Sequence, residues 1–365
     1  MTKIPVGILG ATGMVGQHYI ALLNNHPWFE VNYVAASPRS AGKKYKDGVA
    51  GRWQLAKGWR PSVGELVIED ANDTDRAIAA AKAGRLSFVF SALEMGKDEI
   101  RSMEDSYAAA GIPVISNASA HRWTKDVPVL IAEVNPHHTD IIPLQKKARG
   151  WERGFIVVKP NCSIQSYTTP LWALIQKGYE IRRIIVSTMQ AVSGAGYPGV
   201  PSLDMIDNIV PYIGGEEEKS EQEPLKIFGI IEDGIIKNTE LPRISAHCNR
   251  VPVTDGHTAC VSLEFGAKKP SLEEIKRIWT EFRSIPQELD LPTAPKQPII
   301  IREEPDRPQP RKDRDADKAM AVSIGRIRAC NVFDIRFTGL SHNTVRGAAG
   351  GGILNAELLK AKGYL

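Results

Sequence analysis

The chain has 365 residues, more than one hydrophobic core usually serves, so two domains are expected. Its formal net charge of +4 is too small at this length to point to nucleic acid or a membrane surface, although it suits small anionic ligands. The four cysteines (Cys162, Cys248, Cys260, Cys330) are scattered, with neither zinc-ligand spacing nor disulfide density, so no metal is expected and a reducing compartment is.

No stretch nears the roughly 20 apolar residues that span a bilayer. The first strand begins by Ile4, which leaves no room for a signal or transit peptide and makes the cytoplasm the expected location. That strand, Lys3 to Leu9, runs straight into Gly10-Ala-Thr-Gly13-Met-Val-Gly16, and a helix from about Met14 to Asn25 follows. Glycines in a strand-to-helix turn let the backbone curl around a pyrophosphate, which then sits on the helix N-terminus. A second strand, Glu30 to Ala36, ends in Ser37-Pro38-Arg39-Ser40 and not in the acid that an NAD site uses for the ribose 2′-hydroxyl. Hydroxyls and cations suit a 2′-phosphate, so NADP is the expected cofactor. Strand and helix patterns then alternate: Leu66 to Glu69, Asp73 to Ala83 with Asp73 as a cap, Leu86 to Ala92, Lys97 to Ala110, and Pro113 to Ser116. This alternation predicts a parallel, doubly wound sheet with ligands at the carboxyl ends of its strands. Ser91 falls at one such end and Arg122 just past another.

The next apolar run, Phe155 to Val158, leads through Lys159-Pro160-Asn161 to Cys162, and residues Ser163 to Gln176 carry helical spacing. A thiol at a helix N-terminus is expected to ionise more easily, and so to be a nucleophile. The strand Arg183 to Gln190 runs into Ala191-Val-Ser193-Gly194-Ala-Gly196; a neutral Gln190 amide beside open backbone could serve a developing oxyanion. Glu216-Glu217-Glu218-Lys219 offers both charges for a zwitterionic substrate. Arg250 carries a planar fork for a carboxylate, and His257 has an intrinsic pKa suited to proton transfer. Strands Ala259 to Phe265, Ala321 to Ile327 and Asn331 to Leu340 predict a mainly antiparallel second sheet. The Pro-, Arg- and Asp-rich stretch from Arg302 to Lys318 reads as an exposed loop. After Asn343, a glycine- and alanine-rich helix from Arg346 to Lys360 is expected to return to the first domain and lie beside the nucleotide site.

Taken in order, these motifs resemble aspartate-β-semialdehyde dehydrogenases of the fungal and archaeal branch, over essentially the whole chain. The resemblance implies a Rossmann-like α/β domain over residues 1–160, completed by 342–365, and an α+β catalytic and dimerisation domain over 161–341. It implies NADPH-dependent reductive dephosphorylation of L-aspartyl-4-phosphate. Cys162 would form a thioester, His257 would act as general acid and base, taking the thiol proton, and Gln190 would orient the acyl group. Arg250 would bind the substrate carboxylate, Glu217 its ammonium, and Arg122 with Lys219 the phosphate. NADP would contact Gly10, Thr12, Gly13, Met14, Val15, Ser37, Arg39, Ser40, Ser91, Ser193, Gly194 and Asn343. A homodimer or homotetramer is implied, with no nucleic-acid or membrane partner. Acyl-CoA reductases of the malonyl-CoA type share the Cys, Gln and His, a reductase of N-acetylated glutamyl phosphate shares the chemistry, and a non-catalytic NADP sensor would keep only the nucleotide half.

Overall fold

Before Pro160, six apolar runs pair into one sheet. They are β1 (Ile4–Leu9), β2 (Phe29–Ala36), β3 (Ile68–Asp70), β4 (Phe88–Ser91), β5 (Val114–Ser116) and β6 (Ile156–Val158). The computed structural model describes residues 2–365. The strand order is β3-β2-β1-β4-β5-β6 and every pairing is parallel. Chain direction across the sheet reverses between β1 and β4, the kind of crevice where doubly wound sheets bind ligands. Helices Met14–Leu23, Thr74–Lys82 and Lys97–Ala109 make crossovers. Asp73 caps the second of them by accepting from the Arg76 N–H at 3.1 Å.

The second sheet adds β7 (Ile181–Gln190), then, past the small hairpin β8 (Ile230–Glu232) and β9 (Ile235–Lys237), β10 (Arg243–Arg250), β11 (His257–Phe265), β12 (Ile299–Arg302), β13 (Val322–Ala329) and β14 (Ile335–Ser341). Its order is β10-β7-β11-β14-β13-β12. The three central pairings are antiparallel, as expected, but both edge pairings are parallel. Parallel neighbours need a long crossover. Helix Glu216–Ile227 lies on the path from β7 to β10. The path from β12 to β13 is the Pro/Arg/Asp stretch, which is therefore a crossover and not a free loop. Its Asp313 is buried, receives the Gln309 N–H at 2.7 Å, and pairs with Arg302 at 3.0 Å and with Arg307.

One apolar cluster joins the two sheets through helix Thr168–Gln176, with Leu9, Val89 and Val114 on one side and Val186, Val261 and Phe337 on the other. A second cluster covers the opposite face of the first sheet, where Ile8, Phe88 and Phe90 meet Ile353 and Leu358 of the C-terminal helix Gly350–Ala361. That helix returns to the first sheet because its small residues allow it: a Cβ on Gly352 would collide with the Tyr19 hydroxyl. Asn355 also donates to the Leu130 carbonyl at 2.9 Å.

Candidate active site

Cys162 follows β6 at the joint between the two sheets. The helix expected to open there is broken: a single 3-10 turn, Ser163–Ser166, precedes Tyr167 at φ −138°, and the α-helix starts at Thr168. The thiol therefore lacks the full helix dipole, whose effect is confined to the first turn of an α-helix. Burial, followed by the Glu216 carboxylate, pushes the Cys162 thiol up to about 11, against Lys159, Arg122 and Arg250. This reverses the sequence expectation of an acidified thiol: at neutral pH it stays protonated. Its position is fixed from both sides. Asn161 accepts from the Ser163 N–H (2.8 Å) and donates to both Glu216 oxygens (2.8 and 3.0 Å), while its own N–H donates to Glu223 at 2.6 Å. A π-helical turn, Val345–Ala349, lies against it so closely that a Cβ on Gly347 would stand 2.8 Å from the Cys162 Cβ.

His257, the first residue of β11, brings Nε2 within 3.3 Å of Cys162 Sγ, and its Nδ1 accepts the Ala191 N–H at 3.0 Å. Burial, with Arg250 and His342 nearby, pushes the imidazole down to about 3, so it is neutral. Arg250, at the end of β10, donates to the Ala191 carbonyl at 2.7 Å. Gly194 makes room for this pair, since a Cβ there would lie 2.9 Å from Arg250 Nη1 and 3.0 Å from His257 Cε1. Gln190 is buried and donates to Glu216 at 3.1 Å and to Thr188 at 3.3 Å, so its amide protons serve the carboxylate.

Glu217, expected to face the substrate, instead accepts the Cys248 N–H at 3.2 Å, away from the pocket. Helix Glu216–Ile227 turns Glu216 inward, where Lys219 pairs with it at 2.9 Å. Residues one position apart on a helix face different directions, so only one register of the acidic run can point at the cysteine. Arg122 reaches the pocket but three of its donors are engaged, by Glu223 (2.8 Å), the Lys159 carbonyl (3.0 Å) and the Asn117 carbonyl (3.0 Å).

A cavity of about 360 Å³ gathers Cys162, Arg122, Glu216 and Lys219 with the nucleotide side: Gly13, Met14 and Val15 from the glycine turn, Ser193 and Gly194 from the turn after β7, and Asn343. The chain's own residues fit a dinucleotide. Gly10 has φ +75°, a Cβ there would strike the Ala92 carbonyl, and no side chain caps the N-terminus of helix Met14–Leu23. Asn343 bridges the halves, donating to Ser193 Oγ at 2.8 Å and accepting the Gly256 N–H at 2.8 Å. Ser37, Arg39 and Ser40 lie on the loop after β2, with Thr12 near the end of β1; none lines this cavity. Ser91 does not face it either: it is wholly buried at the end of β4, beside Glu104. Glu94, Asn117 and Ser119 line the cavity without individual sequence signals; they follow β4 and β5, whose carboxyl ends were the only clue.

Two family profiles match: "Semialdehyde dehydrogenase, NAD binding domain" over residues 5–142 and "Semialdehyde dehydrogenase, dimerisation domain" over 171–346. The chain is 48% identical to the aspartate-semialdehyde dehydrogenase of Archaeoglobus fulgidus over 357 residues, covering 98% of each. It is 44% identical to that of Saccharomyces cerevisiae, again over 98% of each. Among solved structures, the Candida albicans aspartate-semialdehyde dehydrogenase with NADP superposes with a TM-score of 0.90 at 40% identity, covering 100% of both chains.

Proposed function

The chain belongs to the aspartate-semialdehyde dehydrogenase family, and from that premise we infer how its site works. The reaction is reductive dephosphorylation of L-aspartyl-4-phosphate by NADPH, giving L-aspartate 4-semialdehyde and phosphate, on the route to threonine, methionine and isoleucine, and to lysine where the diaminopimelate route exists. The observation that carries the residue assignment is the contact between Cys162 Sγ and His257 Nε2, 3.3 Å apart, beside a cavity shared with the glycine turn.

Cys162 is the nucleophile. An acyl phosphate is already activated, so sulfur displaces phosphate and leaves a thioester, which accepts hydride far more readily than a carboxylate does. The glycine turn from Gly10 to Gly16 would hold the pyrophosphate of NADPH, which when bound would supply that hydride. Arg250 holds the substrate carboxylate through its free donors. Glu216, in place of Glu217, holds the ammonium, in exchange for part of its contact with Lys219. Lys219 and the remaining donors of Arg122 take the phosphate. Gln190 positions Glu216. Ser37, Arg39 and Ser40 take the 2′-phosphate, and Thr12 and Asn343 the rest of the nucleotide.

Residues 1–160 with 342–365 form the nucleotide domain and 161–341 the catalytic and dimerisation domain, a division supported by sheet membership. The partner is a second copy of this chain, as a homodimer or a homotetramer. Its docking face is the outer side of the second sheet, where Ile185 and Cys260 are exposed on neighbouring strands. Among the described residues no helix is long and apolar enough to cross a membrane, and the cytoplasm is the proposed location.

The test is NADPH formation from aspartate semialdehyde plus phosphate, with malonyl-CoA reduction measured separately. Cys162→Ala abolishes turnover and leaves NADP affinity intact. Turnover retained in that variant, or activity on malonyl-CoA alone, rejects the assignment.

A further inference from the structure

We propose that Asn117 turns its side-chain NH₂ group into the cavity, as a donor to the nicotinamide-ribose half of NADP, and that Tyr19 holds it in that orientation. This rests on the NADP reading above and deepens it by assigning a contact to the reactive half of the cofactor.

The orientation follows from hydrogen-bond accounting. Asn117 follows β5, and its Nδ2 stands 2.5 Å from the Tyr19 hydroxyl oxygen. The two ends of an amide have the same shape, so the surrounding donors and acceptors decide which end faces where. With nitrogen toward Tyr19, the hydroxyl accepts and its own hydrogen has no acceptor. Tyr19 is fully buried, and among the described residues Asn117 is its one hydrogen-bond partner. Gly352 of the C-terminal helix closes it in from behind, since a Cβ there would stand 1.9 Å from the hydroxyl. A buried donor left without an acceptor is destabilising. With oxygen toward Tyr19, the hydroxyl donates to Oδ1 and no buried hydrogen is left over. The NH₂ group is then at the far end of the amide, which has no partner among the described residues. Asn117 is half-buried and lines the cavity, so that end opens on it.

The backbone around Asn117 is pinned. Its N–H donates to the Ser91 carbonyl at 2.9 Å, its carbonyl accepts from Arg122 at 3.0 Å, and the next N–H donates to Ser116 Oγ at 3.0 Å. Ser116 in turn donates to the buried Glu104 at 2.6 Å. The ligand follows from the side that holds the amide. Tyr19 lies on helix Met14–Leu23, whose N-terminus carries the glycine turn, and Met14 and Val15 line the same cavity. The carboxyl end of β5, two strands from β1 across the switch point, lies where a dinucleotide crosses the sheet. Lys219 and Arg122 bring cations for a phosphate, whereas Asn117 brings a neutral donor. That suits the carboxamide or ribose oxygens of a nicotinamide nucleoside, which a single well-placed polar group can orient. Tyr19 touches no ligand and is a positioning residue that acts through Asn117.

The test is calorimetric titration with NADP⁺ and with adenosine 2′,5′-bisphosphate, which lacks the nicotinamide-ribose half. Asn117→Ala weakens NADP⁺ binding about two- to tenfold, the loss of one uncharged hydrogen bond, and leaves the bisphosphate unchanged. Asn117→Asp binds NADP⁺ no better than Asn117→Ala, because it sets an acceptor where the donor stood. Wild-type NADP⁺ affinity in Asn117→Asp would mean that an oxygen faces the cavity, and overturns the proposal. Tyr19→Phe also weakens NADP⁺ alone, but has no further effect in the Asn117→Ala background, since it acts only through the amide. Additive losses overturn the role of Tyr19. Bisphosphate affinity that falls in step with NADP⁺ affinity places the effect in the fold or the adenosine half and overturns the proposal. Unchanged NADP⁺ affinity in Asn117→Ala, or an effect confined to the KM for phosphate, overturns it too. Failure of the functional reading is distinct: wild-type protein would bind NADP⁺ yet make no NADPH from aspartate semialdehyde and phosphate.

Discussion

Glu223 supports the nucleophile from below, and its removal can be worked through in numbers. It is fully buried; one oxygen accepts from Arg122 Nη1 at 2.8 Å and the other from the Asn161 N–H at 2.6 Å, one residue before Cys162. Glu223→Gln keeps the shape but removes the charge, and its NH₂ must face one of two donors. Breaking a buried ion pair on one side costs about 3–5 kcal/mol. Arg122 keeps two carbonyl acceptors, Lys159 and Asn117, so we place the loss near the lower end, about 3 kcal/mol. Urea unfolding followed by both fluorescence and circular dichroism measures it, alongside kcat/KM. A companion variant, Arg122→Met with Glu223→Met, replaces the pair by apolar groups and recovers most of the stability, because neither charge is left alone. Its activity stays low, because Arg122 also lines the cavity where the phosphate is proposed to bind. Stability of Glu223→Gln within about 1 kcal/mol of wild type would refute the argument for a stressed buried cation. Full activity in the double variant would remove Arg122 from the substrate site.

Burial pushes the Lys159 ammonium down to about 7. Below that pH both folded and unfolded chains hold the proton; above it the folded lysine is neutral while the unfolded one stays charged to about 10.4. Stability therefore rises with pH from about 7 to 9, by up to about 1.4 kcal/mol per unit from this group. Lys159→Met flattens that rise in unfolding curves taken at several pH values; an unchanged slope contradicts the assignment. Gly347→Ala forces the cysteine away from His257, since its new Cβ would sit 2.8 Å from that of Cys162. A displacement approaching 1 Å lowers kcat by about 10² with KM nearly unchanged, and wild-type kcat in this variant would show that the turn yields freely. Ile185→Arg on the open sheet face should convert the oligomer to monomer in size-exclusion chromatography with light scattering; an unaltered mass would move the interface elsewhere.

Much of this protein is written locally. Apolar runs punctuated by glycine turns specify the parallel sheet and the place of its crevice, because strand burial and tight turns are short-range demands. Residue chemistry also points to Cys162, His257, Lys219 and Arg250, which the fold gathers around one cavity. Three features depend on distant partners. The direction of the cysteine's ionisation is one: a helix-mouth argument favours thiolate, but burial and Glu216, contributed by another helix, push the other way. The choice of Glu216 over Glu217 is another, since it needs the rotational phase of a helix against β10, which turns Glu217 to the Cys248 N–H and Glu216 to Asn161. The third is the crossover from Arg302 to Val322, whose composition looks like a solvated loop but whose Asp313 is buried under two arginines.

Local sequence thus determined which elements form and which reactive side chains are candidates for the site, because periodicity, turn residues and intrinsic reactivity need only near neighbours. Tertiary structure alone decided the protonation of the thiol and imidazole and the identity of the inward carboxylate. Those are set by electric fields, desolvation and a backbone amide at Ala191, brought together from residues far apart in the chain.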